Sequence, residues 1–149
     1  MADTQVHLEV EDWVRREWMQ RKFGQLFSRE RVKLSSGGVC DFDAVSGDGG
    51  IVAAVSTSGA LTAGSKNAGG KMLKIRSDMY FLLLAEAERR IVVLTEKDMH
   101  RCMKELEAGR VPRSIEFVNV EIPSDLELKL RSSRNKAFDE VLPRRDAQP

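Results

Sequence analysis

The chain has 149 residues, 42% hydrophobic, 32% charged and 6% aromatic, with Lys+Arg 24 against Asp+Glu 23 for a net charge of +1. That length suits one domain with one core, and near-neutrality removes any overall field drawing the chain to nucleic acid or membrane. No run approaches the ~18 apolar residues of a membrane span, and the acidic start MADTQVHLEVED lacks the basic and apolar regions of a signal peptide, so a cytoplasmic protein without a membrane partner is expected.

Residues 3 to about 28 read as a first helix. Val6, Val10, Trp13, Val14 and Trp18 fall on one stripe, with Arg15, Arg16 and Lys22 off it. Asp3 or Thr4 suits the N-cap, and Gly24 suits a stop or bend. SRERVKLSSGG then reads as a polar connection. VCDFDAVS and IVAAVSTS are short, rich in β-branched residues and separated by Gly47-Asp48-Gly49-Gly50, which predicts an antiparallel hairpin.

Residues 58–70 are small and polar and read as a loop. A second helix is predicted from Lys71 to about Glu88, apolar on nearly every side through MYFLLLA and so deeply buried. RIVVLT (90–95) is a strand covered on both faces. EKDMHRCMKELEAG is an amphipathic helix stopped by Gly109. Ser114 to Ile122 reads as a strand and Ser124 to about Val141 as a last helix. The order predicts one α/β domain over 1–142, a mixed sheet flanked by helices, with a flexible tail over 143–149.

Asp41 and Asp43 are two apart on one strand, so strict alternation puts both on one face, with Phe42 and Ala44 on the other. Two carboxylates on one face need a cation, either a side chain or a hard divalent ion such as Mg²⁺. The plainer alternative is one solvated aspartate and one bonded to a backbone amide. Cys40 and Cys102 are too few for a disulfide framework and, with only His7 and His100, make no zinc site. Both are expected to be buried thiols.

The order helix, hairpin, helix, strand, together with DFDAVSGDGGIVAAVSTS, resembles the PD-(D/E)xK nuclease superfamily, over about residues 3–95. The resemblance implies a restriction-endonuclease-like fold and Mg²⁺-dependent phosphodiester cleavage. Asp43 matches the family's aspartate. IVAAVSTS matches the acid-x-lysine strand, which sets Ala54 where the second acid belongs and Ser56 where the lysine belongs. Alanine binds no metal and serine carries no positive charge, so the standard site is degenerate.

The resemblance also implies replacements. Glu17 resembles a helix-one glutamate that assists the metal in several such families, against an i,i+4 pair with Arg21. Lys71 or Lys74 would return the missing cation from the second helix, against a simple Lys74–Asp78 pair. The basic set Lys66, Lys71, Lys74 and Arg76 would border the hairpin and contact nucleic acid; further basic clusters lie at Arg15-Arg16, Arg21-Lys22 and Arg29/Arg31/Lys33.

GALTAGSK (59–66) mimics a phosphate loop, but its lysine and hydroxyl residue are exchanged. The STS at 56–58 has no histidine beside it in sequence. Three functions follow: a nuclease-fold protein with a degenerate site that binds nucleic acid or a protein partner; an active nuclease with Asp41, Asp43 and Glu17 on the metal and Lys71 or Lys74 as cation; or an assembly module, in which the apolar faces of the first and last helices bind another subunit or a second copy.

Overall fold

The computed structural model describes residues 4–60 and 69–134. Helix α1 comprises Thr4–Trp13, a π-helical stretch Val14–Met19 and a closing α turn Gln20–Phe23. Strands β1 (Phe27–Lys33), β2 (Val39–Ser46) and β3 (Ile51–Ser56) follow. Helix α2 (Gly69–Leu84), β4 (Arg89–Leu94), α3 (Lys97–Leu106), β5 (Ile115–Asn119) and a helix α4 over 124–134 complete the chain.

The five strands form one sheet in the order β1-β2-β3-β4-β5. The β1/β2 and β2/β3 pairs are antiparallel, and β3/β4 and β4/β5 are parallel. Short turns suffice for the first half, whereas the parallel half needs helical crossovers. Met72, Ile75, Met79 and Leu82 of α2, with Met99 and Met103 of α3, pack on one face over Val52, Ala54, Val92 and Leu94. Val14 and Met19 of α1 pack on the other face over Ala53, Val55, Ile91 and Val93. The fold is therefore the expected α/β mixed sheet flanked by helices. β3, buried from Ile51 to Val55, is its central strand, and β4 beside it is buried from Ile91 to Leu94.

Four details depart from the sequence reading. The first helix stops at Gly24, whose φ of 67° gives a left-handed C-cap, and not near residue 28. The segment expected as a polar connection is β1. It is an edge strand with one buried residue, Phe27, and therefore no apolar alternation to read. The stripe of α1 runs Val6, Val10, Val14 and then Met19. The π-helical stretch adds one residue to that turn, so Met19 takes the core place expected for Trp18, which is only partly buried.

The fourth departure is α2, which is not buried all round. Leu73 and Tyr80 are each 60% exposed and Leu83 is 40% exposed. Its C-terminal end is held by Arg90, whose guanidinium donates to the carbonyls of Leu82 at 2.8 Å and Ala85 at 2.7 Å. The first and last helices, by contrast, use their apolar faces on each other: Val6 and Val10 pack with Ile122 and Leu130. Leu8 of the first helix and Leu128 of the last remain exposed, at 50% and 64%. Both cysteines are half-buried rather than buried. Residues 135–141 of the expected last helix and the 143–149 tail lie outside the described residues.

These two sides of α2 predict opposite responses. Leu82→Ala, at a fully buried position, should lower unfolding free energy by about 2–5 kcal/mol, and Leu73→Ala should change it by about 0.5 kcal/mol or less. Urea unfolding of both variants checks this, and a large loss at Leu73 would mean that its face is covered.

Candidate functional site

The hairpin turn fixes where the site lies. Gly49 takes φ 75°, Ser46 Oγ donates to Asp48 Oδ1 at 2.7 Å, and the Gly50 amide donates to the same oxygen at 2.9 Å. The Ser46 hydroxyl and this amide hold the Asp48 carboxyl below its ordinary pKa. From that turn β2 and β3 share only two paired positions, Ala44↔Ala53 and Val45↔Val52. Beyond them the strands separate.

A register shift between Ser28 and Glu30 of β1 accompanies this separation. Phe27↔Ser46 and Ser28↔Val45 lie on one side of it, and Glu30↔Phe42 and Arg31↔Asp41 on the other, so β2 carries one extra residue between Phe42 and Val45. Phe42 consequently packs into the core beneath α2, while Ala44 packs into the core beneath α1. The expectation that Phe42 and Ala44 share a face fails for this reason.

Asp43 sits at the break. Its Oδ2 accepts the backbone N–H of Val55 at 2.8 Å, doing for β3 what a β2 carbonyl would do in a continuous ladder. Arg15 of α1 donates to the Asp43 carbonyl at 3.0 Å, and Arg29 of β1 lies 3.7 Å from Asp43 Oδ1. Asp43, Asp41, Ala54, Arg29, Lys74 and Asp78 line one small cleft of about 140 Å³, with Cys40, Phe42 and Phe81. The structure thus brings Asp43, Asp41, Lys74 and Ala54 together.

The other expected residues are elsewhere. Glu17 pairs with Arg21 at 2.9 Å on a half-exposed surface, the i,i+4 arrangement that competed with its metal role. Lys71 faces Arg134 and Asp98; partial burial, with Arg134 adding to it, lowers its pKa, while Asp98 opposes. Arg76 is held by Glu107, which is 3% exposed, with Nε donating at 2.8 Å. Lys66 lies outside the described residues. The Oγ of Ser56 accepts the Ser58 amide at 3.4 Å. His7 does reach the STS segment in space, against Thr57 Oγ1, although Thr57 is only 7% exposed and its carbonyl accepts from Arg134.

Glu11 is the acidic residue of α1 that approaches Asp43, and the sequence reading passed over it. Its Oε2 is buried and accepts no hydrogen bond, with Arg15 3.8 Å away. Burial raises its pKa and Asp43 raises it further, against Arg15, Arg29 and Lys74. The signal was available: Glu11 and Arg15 are spaced i,i+4 beside Val10 and Val14. Asp78 is raised in the same way, by burial first and partly by Asp43, although Lys74 lies 3.3 Å away and opposes. Burial and then Asp41 push the Cys40 thiol up, which disfavours the thiolate.

The fit to a divalent ion can be judged from these donors. Asp43 Oδ2 is occupied by an amide, Asp41 by Arg31 at 3.1 Å and Asp78 by Lys74. Ala54 offers no oxygen. Among the described residues no three or more His, Cys, Asp or Glu side chains are arranged to hold a metal ion. In this arrangement the cleft's carboxylates are answered by side-chain cations and an amide.

A larger hollow, about 400 Å³, lies beyond the carboxyl ends of β4 and β5, lined by Glu96, Asp98, Asn119 and Arg134 among others. Its inner polar groups are engaged internally: Arg134 with Glu96, Asp98 with the Ala60 amide at 3.0 Å, and Asn119 with the Leu94 carbonyl at 2.9 Å. Comparison of the chain with known protein families, curated proteins and solved structures finds no match. No helix among the described residues is long and apolar enough to cross a membrane.

Glu11 generates a signed prediction. Its folded pKa lies above its unfolded value, so the penalty on its charged form is absent near pH 4 and fully present at neutral pH. Glu11→Gln removes that penalty. It should raise unfolding free energy at pH 7 by roughly 0.5–1 kcal/mol, with the gain fading as pH falls toward about 4. Urea melts at both pH values test it; a loss at pH 7 would mean that the Arg15 pair outweighs the burial.

Proposed function

We propose that this chain is a nuclease-fold protein that binds nucleic acid through phosphate contacts at the Asp43 cleft and does not cleave it. The PD-(D/E)xK resemblance implies the order helix, hairpin, helix, strand, and these elements follow one another in that order here, with β1 inserted before the hairpin. The observation that carries the reading is that cations and an amide answer the cleft's carboxylates where a metal would otherwise be needed. Arg29 and Lys74 are 54% and 71% exposed at their side chains, and exposed pairs of this kind contribute only about 0–1 kcal/mol. A phosphate can therefore displace a carboxylate from either cation at small cost. Ala54 offers no second acid and Ser56 no positive charge, which favours binding over cleavage.

The test pairs cleavage with binding. Supercoiled plasmid incubated with the protein in Mg²⁺ or Mn²⁺ should remain intact, equally for the parent and for Asp43→Ala. Labelled oligonucleotides should bind at low salt and be released as salt rises, because each phosphate contact releases counterions. Lys74→Ala should weaken binding by about 3–10-fold at fixed salt. Nicking by the parent and not by Asp43→Ala would replace this reading with that of an active, rearranged nuclease. Absence of any oligonucleotide binding would leave a protein partner as the occupant.

A further inference from the structure

The cations of β1 are arranged as a row. Arg29, Arg31 and Lys33 are two residues apart on an extended strand, so their side chains leave one face at intervals of about 7 Å. That interval matches one repeat of an extended nucleic-acid backbone, about six covalent bonds from phosphorus to phosphorus. β1 is the edge of the sheet, with no strand beyond it among the described residues. Its one acidic residue, Glu30, lies out of this row and accepts from Ser28 Oγ at 2.9 Å.

The row is open to a ligand. Arg29 is 3.7 Å from Asp43, too far for a hydrogen bond. Arg31 uses Nε on Asp41, leaving its terminal nitrogens outward with the side chain 69% exposed. Lys33 is exposed and makes no ion pair among the described residues. Arg29 belongs both to the row and to the cleft, which makes the two continuous.

We propose that a single nucleic-acid strand lies along β1, successive phosphates held by Arg29, Arg31 and Lys33, and enters the cleft at Lys74. This rests on the nucleic-acid reading above and adds to it the track and the single-stranded ligand. One row of cations along an exposed edge strand meets one backbone, so a single strand is enough to occupy it.

The experiment is fluorescence anisotropy of the full chain with a labelled oligothymidine of about 12 nucleotides, and with the corresponding duplex, across a range of NaCl. Four phosphate contacts on a single strand predict a slope of log K on log salt of about −3. Arg31→Ala and Lys33→Ala should each reduce the magnitude of that slope by about 0.7 and weaken binding at fixed salt, whereas Arg31→Lys should restore the slope. Arg101→Ala, an exposed cation on α3, should leave both unchanged. Far-ultraviolet circular dichroism melts verify that the variants are folded, as expected for exposed positions. Unchanged binding in both β1 variants while Lys74→Ala weakens it would overturn the track and leave the cleft reading standing. Tighter binding of the duplex would overturn the single-strand assignment. Failure of the parent to bind either oligonucleotide would overturn the cleft reading itself.

Discussion

The bond from the Val55 amide to the Asp43 carboxylate is the constraint around which the hairpin and both its helices are arranged. Where β2 and β3 separate, the Val55 N–H would be left in a buried strand without an acceptor, at a cost of about 1–3 kcal/mol. The carboxylate satisfies it at 2.8 Å, and a charged acceptor is roughly twice as strong as a neutral one. The extra residue in β2 delivers Asp43 to that position. It also returns Ala44 and Val45 to their proper cores, so the break does not propagate into the turn. The opening between the strands is what allows α1 to approach through Arg15 while α2 approaches through Lys74 and Asp78.

The electrostatics of the cleft follow from the same opening. Asp43 raises the pKa of Glu11 and of Asp78, one from each flanking helix, so its charge is felt on both sides of the sheet. Each acid nevertheless has a cation nearby: Arg15 for Glu11, Arg29 for Asp43, Arg31 for Asp41 and Lys74 for Asp78. Carboxylates so placed repel one another unless countercharges intervene. Here the countercharges are carried on long side chains from three elements, α1, β1 and α2, and those of Arg29, Arg31 and Lys74 are exposed enough to turn outward.

How much of this was legible depended on whether a residue's role is local. The hairpin, the buried β4 and the amphipathic α3 were readable because glycine turns and apolar periodicity act within a few residues. β1 was hidden because only Phe27 of its seven residues is buried; its pairing is set by β2 and not by its own pattern. Trp18 was favoured over Met19 because a regular 3.6-residue period was assumed across a π-helical turn. Asp41 and Asp43 stand out by residue type and spacing, and the structure sets both beside Lys74 in one cleft. Glu11 was missed, and Glu17 preferred, because which turn of α1 faces the hairpin is decided by packing between Val14, Met19 and the sheet. The exposed apolar side of α2 was likewise invisible, since hydrophobicity alone does not say how many neighbours a helix has.

The charges on β1 have a consequence for the chain's behaviour at high concentration. An edge strand offers unpaired amides and carbonyls to any other strand, and a flat apolar edge invites stacking into aggregates. Here four of the seven residues, Arg29, Glu30, Arg31 and Lys33, are charged and exposed. Docking a second copy in register would bury that charge beside its own kind. The edge therefore keeps apart sheets that share its sequence, and the register shift beside Arg29 interrupts the regular ladder between it and β2.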